Sequence, residues 1–188
     1  WNELVTDLGL DAGAAYGTPL QIGAEVVVVF IFFGQLLLLT GGGEFFTNLA
    51  MAGFGKRRGG AAKISVVASA LFGSISGSAT SNVASTGVIT IPLMQRSGYS
   101  AENAGAIEAV ASTGGQFMPP IMGAAAFLMA EFLEIEYQKV VLAALIPALL
   151  YYFAVFVQVD LIAAKEKISV ADSDLPDVRK VLREGWHL

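Results

Sequence analysis

Between Lys63 and Arg96 the chain carries no charged residue, and inside that stretch lies Leu71-Phe72-Gly73-Ser74-Ile75-Ser76-Gly77-Ser78-Ala79-Thr80-Ser81-Asn82-Val83-Ala84-Ser85-Thr86-Gly87. Glycines and hydroxyl residues are thus set into apolar sequence. In hydrocarbon, irregular polar backbone is tolerated only where it is buried in protein or lines a cavity, so the run marks a functional place in whatever fold surrounds it. That the surroundings are hydrocarbon follows from composition. Of 188 residues 55% are hydrophobic and 14% charged, against about 25% charged in an average soluble domain. The chain therefore reads as a membrane protein.

The formal net charge of −5 lies outside the apolar segments, so neither a nucleic-acid partner nor an acidic substrate is implied. Cysteine is absent, which excludes disulfides, thiol catalysis and thiolate metal sites. The sequence starts at Trp1 without a signal-peptide pattern and stops at Trp186-His187-Leu188 in a helix-prone stretch. The expectation is an internal piece of a longer protein.

Residues 1–21 form a polar lead-in punctuated by Gly9, Gly13, Gly17 and Pro19. Residues 22–60 hold a first transmembrane helix over Ile22 to Leu39, ended by Thr40-Gly41-Gly42-Gly43, then a short surface helix and the basic loop Lys56, Arg57, Arg58, Lys63. The positive-inside rule makes that loop, at 56–63, cytoplasmic. Residues 61–94 contain the opening run, flanked by apolar limbs of about 14 and 12 residues, ~21 and ~18 Å of helix. Each limb reaches the middle of a bilayer but does not cross it, which predicts a re-entrant helical hairpin. The alternative is one continuous helix from Ala61 to Met94 using its small residues for packing.

Residues 95–137 are too long for one crossing and are split by Ser112-Thr113-Gly114-Gly115-Gln116-Phe117-Met118-Pro119-Pro120, where the prolines forbid regular helix. A broken transmembrane helix follows, its break at the depth of the hairpin tip. Residues 138–162 form a further transmembrane helix containing Pro147, and 163–188 a charged cytoplasmic linker with a helix start at Asp174-Leu175-Pro176-Asp177. The fold class is all-α membrane protein, with transmembrane helices, a re-entrant hairpin and a broken helix.

The two polar patches suit a hard monovalent cation such as Na⁺, which takes oxygen ligands from unwound carbonyls and half-helix C-termini. Ser76, Ser78, Thr80, Ser81 and Asn82 offer oxygens from the tip, and Thr113, Gly114, Gly115 and Gln116 from the break. The N–H groups at the start of the returning limb, near Val83, suit a carboxylate. Glu108, one turn before Ser112, is a relay, a ligand or a partner for a charge elsewhere, and the sequence leaves these open. Glu102 and Asn103 are expected to cap their helix, and Glu25 and Asp160 to lie at the interface. His187 is isolated, no transition-metal site is expected, and no nucleophile, base and orienting acid occur together, so an enzyme is not expected. The competing class is a non-transporting membrane scaffold or assembly subunit. A soluble phosphate-binding enzyme is disfavoured because no Lys follows the glycines as in a P-loop.

Several motifs together resemble one family. Gly-Lys-Arg-Arg-Gly-Gly-Ala-Ala-Lys at 55–63, Leu-Phe-Gly-Ser-Ile-Ser-Gly-Ser-Ala-Thr-Ser-Asn-Val-Ala at 71–84, Ile-Pro-Leu-Met at 91–94 with Gly98-Tyr99, and Glu-Ala-Val-Ala-Ser-Thr-Gly-Gly-Gln-Phe-Met-Pro-Pro-Ile-Met-Gly at 108–123 are similar to the large permease subunit of tripartite ATP-independent periplasmic (TRAP) transporters. The wording is closest to the fused permeases that work with a TAXI-type periplasmic substrate-binding protein. The resemblance implies a permease of the bacterial inner membrane that imports organic acids such as C4-dicarboxylates by Na⁺ symport and an elevator movement. No cofactor beyond the coupling Na⁺ is implied. Its implied partners are the binding protein, a small membrane subunit or its fused equivalent, the second inverted half of the permease and the lipid bilayer. Carried over by position, Ser76, Gly77, Ser78, Ser81, Asn82, Thr113, Gly114, Gly115 and Pro119 would hold Na⁺, and Ser78, Thr80, Ser81, Asn82 and Gln116 would face the substrate.

Overall fold

The computed structural model describes residues 16–168 together with Val181 and Arg183. The anticipated helix start at Asp174, and His187, lie outside the described residues. All regular structure among those described is helical, as the sequence requires of an all-α membrane protein.

The chain enters through α1 (Thr18–Ile22), widens into a π-helical turn (Gly23–Val27) and continues as α2 (Val28–Leu39). Gly41, at φ +95°, turns it into α3 (Gly42–Phe54). A basic loop leads through Gly59, at φ +61°, into α4 (Gly60–Ser76), which folds back as α5 (Ala79–Arg96). After α6 (Ala101–Thr113) come a 3₁₀ turn (Gly114–Gln116) and an irregular segment, then α7 (Ala124–Phe132) and the long α8 (Tyr137–Lys165).

Helix α4 is the hub, packing against α2, α3, α5, α6, α8 and the 3₁₀ turn. Its buried positions include Ala61, Ala62, Ser65, Ala68, Ser69 and Gly73. Lipid tails are as apolar as leucine, so helices in a membrane gain little by hiding leucines from one another; small residues that bring backbones close supply the contact instead. Large apolar side chains accordingly point outward, as with Leu142, Ile146, Leu149 and Phe153 on α8 and Val29 and Phe32 on α2. Among the described residues, α8 is long and apolar enough to span a membrane by itself, and it runs through Pro147 without interruption.

Hairpin and break are both present, with two differences from the sequence reading. The limbs are longer, 17 and 18 residues, or ~26 and ~27 Å at ~1.5 Å per residue, so each nearly matches a ~30 Å hydrocarbon core and length alone does not stop the tip at mid-depth. Only Gly77 and Ser78 at the tip are non-helical. Serine within a helix can satisfy its hydroxyl by bonding back to the preceding turn, as Ser74 does to the Leu71 carbonyl (2.8 Å) and Ser85 to that of Ser81 (2.7 Å). The second difference is a cap: Ser100, rather than Glu102 or Asn103, caps α6, its hydroxyl accepting from the Asn103 N–H at 3.2 Å. The Asn103 side chain instead donates to Glu166 at 2.6 Å.

Candidate functional site

The hairpin tip rests on the helix break, and glycine makes the approach possible. A Cβ on Gly73 would lie 2.5 Å from the Cα of Gly115. Gly77 sits at φ +61° with the Met122 carbonyl where its Cβ would be. A backbone hydrogen bond joins the two segments as well, since Ile121 N–H donates to the Ser74 carbonyl at 3.1 Å. The small residues of the run thus serve packing at Gly73 and Gly77.

Stopping α6 at Thr113 strands the carbonyls of its last turn, which need outside donors. Aromatic hydroxyls from α8 supply two: Tyr151 donates to Val110 O at 2.7 Å and Tyr152 to Ala111 O at 3.0 Å. Asn82 supplies a third, its Nδ2 donating to Ser69 O at 2.8 Å and to Ser112 O at 3.4 Å. On the far side of the break, the Tyr137 hydroxyl donates to the carbonyls of Pro120 and Ile121. The irregular backbone is therefore held by specific side chains.

Beneath this contact lies Glu108, completely buried at 0% exposure. Its Oε1 accepts from Thr86 (2.5 Å), Ser112 (3.0 Å) and Ser69 (3.1 Å), and its Oε2 from Thr90 (2.5 Å) and Ser65 (2.7 Å). Five hydroxyls from α4, α5 and α6 converge on one carboxylate. Room for it comes from Gly87, where a Cβ would stand 3.2 Å from Glu108 Cγ. Thr86 Oγ also lies 3.3 Å from Asn82 Oδ1, so the cluster continues into the amide that bridges tip and break.

The residues singled out from sequence fall into separate groups. Ser76, Ser78 and Ser81 share a cavity of about 170 Å³ with Ile31, Gly34 and Gln35 of α2. The Ser76 hydroxyl is buried there without a hydrogen-bond partner. Ser78 also caps α5, accepting from Ser81 N–H at 3.3 Å. Gly77, Asn82 and Gly115 lie in the tip-to-break contact, and Gly114 is pressed against Tyr151 and Tyr152. Thr80 and Thr113 are exposed, the Thr113 hydroxyl turned back onto Ala109 O at 2.8 Å, and Pro119 is half-buried. Gln116 lines a different cavity, of about 390 Å³, with Phe117, Met122 and Lys139.

Three features escaped the sequence reading. The hydroxyl partners of Glu108 were signalled by pairs four residues apart, Ser65 with Ser69 and Thr86 with Thr90. Gln35 was visible as a polar residue in an apolar span, but nothing showed that it would meet the hairpin tip. Asp160 accepts from both Arg58 and Lys63, the latter at 2.5 Å, and no local pattern announces contacts across 102 and 97 residues.

The family model of the DctM component of tripartite ATP-independent periplasmic transporters matches residues 11–188. The chain is 31% identical over 157 residues to the C4-dicarboxylate TRAP transporter large permease protein DctM of Pseudomonas aeruginosa, covering 84% of this chain and 35% of that protein. It is 35% identical over 91 residues to the uncharacterized protein YgiK of Salmonella typhimurium, covering 48% of this chain and 21% of that one. The chain spans about a third or less of the length of these relatives.

Proposed function

The chain belongs to the family of DctM components of tripartite ATP-independent periplasmic transporters, and from that premise we propose that it is the first inverted half of a large permease subunit. It works in the inner membrane as a secondary transporter, not as an enzyme, and it couples entry of organic acids to Na⁺. Its partners are a periplasmic binding protein of the TAXI type, a small membrane subunit or fused equivalent, and the second half of the permease. The basic loop at 56–63 and the linker at 163–188 face the cytoplasm.

The observation that carries this reading is the seating of the hairpin tip on the helix break, through Gly73 on Gly115 and Ile121 N–H on Ser74 O. A scaffold subunit needs only continuous helices, whereas two facing discontinuities, with a small cavity lined by Ser76, Ser78, Ser81 and Gln35 beside them, are the construction from which transporters make ion and substrate sites. Dicarboxylate in the name of the Pseudomonas relative supports carboxylates as the substrate class. The start of α5 at Ala79, with its N–H groups and positive dipole end, supports an anion at the tip.

The test is uptake by the intact permease, reconstituted in proteoliposomes with its binding protein and driven by an imposed Na⁺ gradient. Dicarboxylate uptake should require the gradient and fall at least tenfold in the combined variant Ser78→Ala, Asn82→Ala, Gly114→Ala. Uptake that persists in the triple variant removes these residues from the mechanism, and uptake indifferent to Na⁺ refutes the coupling.

A further inference from the structure

A carboxylate taken out of water into a membrane protein is normally paired with a cation, because desolvating a lone charge is costly. Glu108 is fully buried, and its hydrogen-bond partners are all hydroxyls. The nearby basic side chains are otherwise engaged: Arg58 and Lys63 both bind Asp160, and these are the ion pairs found among the described residues. Each hydroxyl contributes a dipole and no charge, so the cluster keeps whatever net charge Glu108 bears.

The position of this cluster is specific. Ser69 and Ser112 donate their hydroxyls to Glu108 while their backbone carbonyls accept from Asn82 Nδ2. Asn82 in turn packs against Gly73 and Gly115, at the meeting of tip and break. Asn82, one of the residues proposed to hold the coupling ion, is therefore bonded directly to the backbone of two residues whose hydroxyls hold the carboxylate. In a low-dielectric interior a fixed charge that close favours a cation in the neighbouring layer, and the bound cation in turn relieves the cost of the buried charge.

We propose that Glu108 is a positioning residue of the coupling-ion site: a carboxylate that holds α4, α5 and α6 in register and supplies the negative charge for a monovalent cation bound at the tip-to-break contact without touching it. The inference rests on the cation-coupled reading above and adds the source of the charge, which the neutral ligands lack. Two of the five hydroxyls have other acceptors, since Thr86 Oγ lies 2.9 Å from Asn82 O and Thr90 Oγ 3.0 Å from Thr86 O, and a glutamine amide oxygen still accepts from the others. The glutamine isostere should therefore fold.

The experiment titrates Na⁺ on the intact permease, once as the concentration giving half-maximal uptake and once as the rise in melting temperature of the solubilised protein in NaCl over choline chloride. In Glu108→Gln both half-points should move up about tenfold, equivalent to ~1.4 kcal/mol, while the melting temperature without Na⁺ stays near that of wild type. Glu108→Asp, which keeps the charge on a shorter stem, should bring the half-points back within about threefold of wild type even where maximal uptake falls. Should Glu108→Gln fail to assemble, Glu108→Leu combined with Ser65→Ala and Thr90→Val, which removes the charge together with the hydroxyls bound to Oε2, serves as the charge-free variant, since replacing a buried polar group and its partners together by apolar ones is often tolerated. Unchanged half-points in the charge-free variant overturn the inference and leave the Na⁺-coupled reading standing, as does a shift in Glu108→Asp equal to that of the charge-free variant. A wild type that responds to Na⁺ in neither assay overturns that reading, and the inference with it.

Discussion

At the scale of single residues, what matters in the glycine-serine run is which position must lack a side chain. Gly77 and Gly98 both have positive φ, +61° and +102°, so an alanine at either is strained, typically by about 1–2 kcal/mol in the left-handed region. Their surroundings differ. A Cβ at Gly98 meets nothing within 4 Å, whereas at Gly77 it collides with the Met122 carbonyl, a backbone atom that cannot rotate away. Gly98→Ala should therefore cost only the conformational term. Gly77→Ala should destabilise by ~3 kcal/mol or more and separate the tip from the break. Thermal melting of the intact permease checks the first difference, and a faster amide exchange over residues 117–123 in Gly77→Ala alone checks the second. Equal effects of the two substitutions would mean that backbone conformation, and not the contact with Met122, governs the tip.

At the scale of elements, a break in a membrane helix is permissible only if the freed backbone groups find partners. The sequence announces the break at Thr113 to Pro120, because Gly114-Gly115 weakens a helix and Pro119-Pro120 cannot continue one. It does not announce what stabilises it. The donors Tyr151 and Tyr152 come from α8, 41 residues away, and in an apolar span two aromatics read simply as bulk. Tyr152→Phe keeps that bulk and leaves the buried Ala111 carbonyl without its donor, for an expected loss of ~1–2 kcal/mol. Adding Tyr151→Phe should increase the loss and speed amide exchange at 114–116, and no change in either quantity would mean the carbonyls are satisfied otherwise. Legibility at the tip fails for a similar reason. Glycine and serine mark flexibility locally, yet Ser74 and Ser76 stay helical, Ser74 with its hydroxyl bonded back to Leu71 O and its carbonyl tied to Ile121 N–H of the break. Hydroxyls at four-residue spacing were plain to see on two helices, but only the fold shows that both rows face Glu108.

At the scale of the whole molecule, two layers hold the hairpin to the remainder of the chain. At the tip the seal is made by glycine contacts and the backbone hydrogen bond from Ile121 to Ser74. At the base it is ionic and aromatic: Asp160 near the end of α8 gathers Arg58 and Lys63, and Lys63 also lies over the Phe156 ring at 5.3 Å. Beside them the buried Tyr99 from the α5–α6 turn fills the space next to Gly59 and Ala163. The two cations of this layer are not equivalent. The Arg58 side chain is 56% exposed and can return to water when its partner is lost, whereas Lys63 is 7% exposed and cannot. An exposed pair contributes little and a buried charge left alone is costly. Asp160→Asn should therefore lower the melting temperature of the permease clearly more than Arg58→Ala, and Lys63→Met in the Asp160→Asn background should restore part of the loss. This order follows from burial alone, so a melt in which Arg58→Ala is the more damaging change would place the strength of the base in the exposed loop and not beneath it.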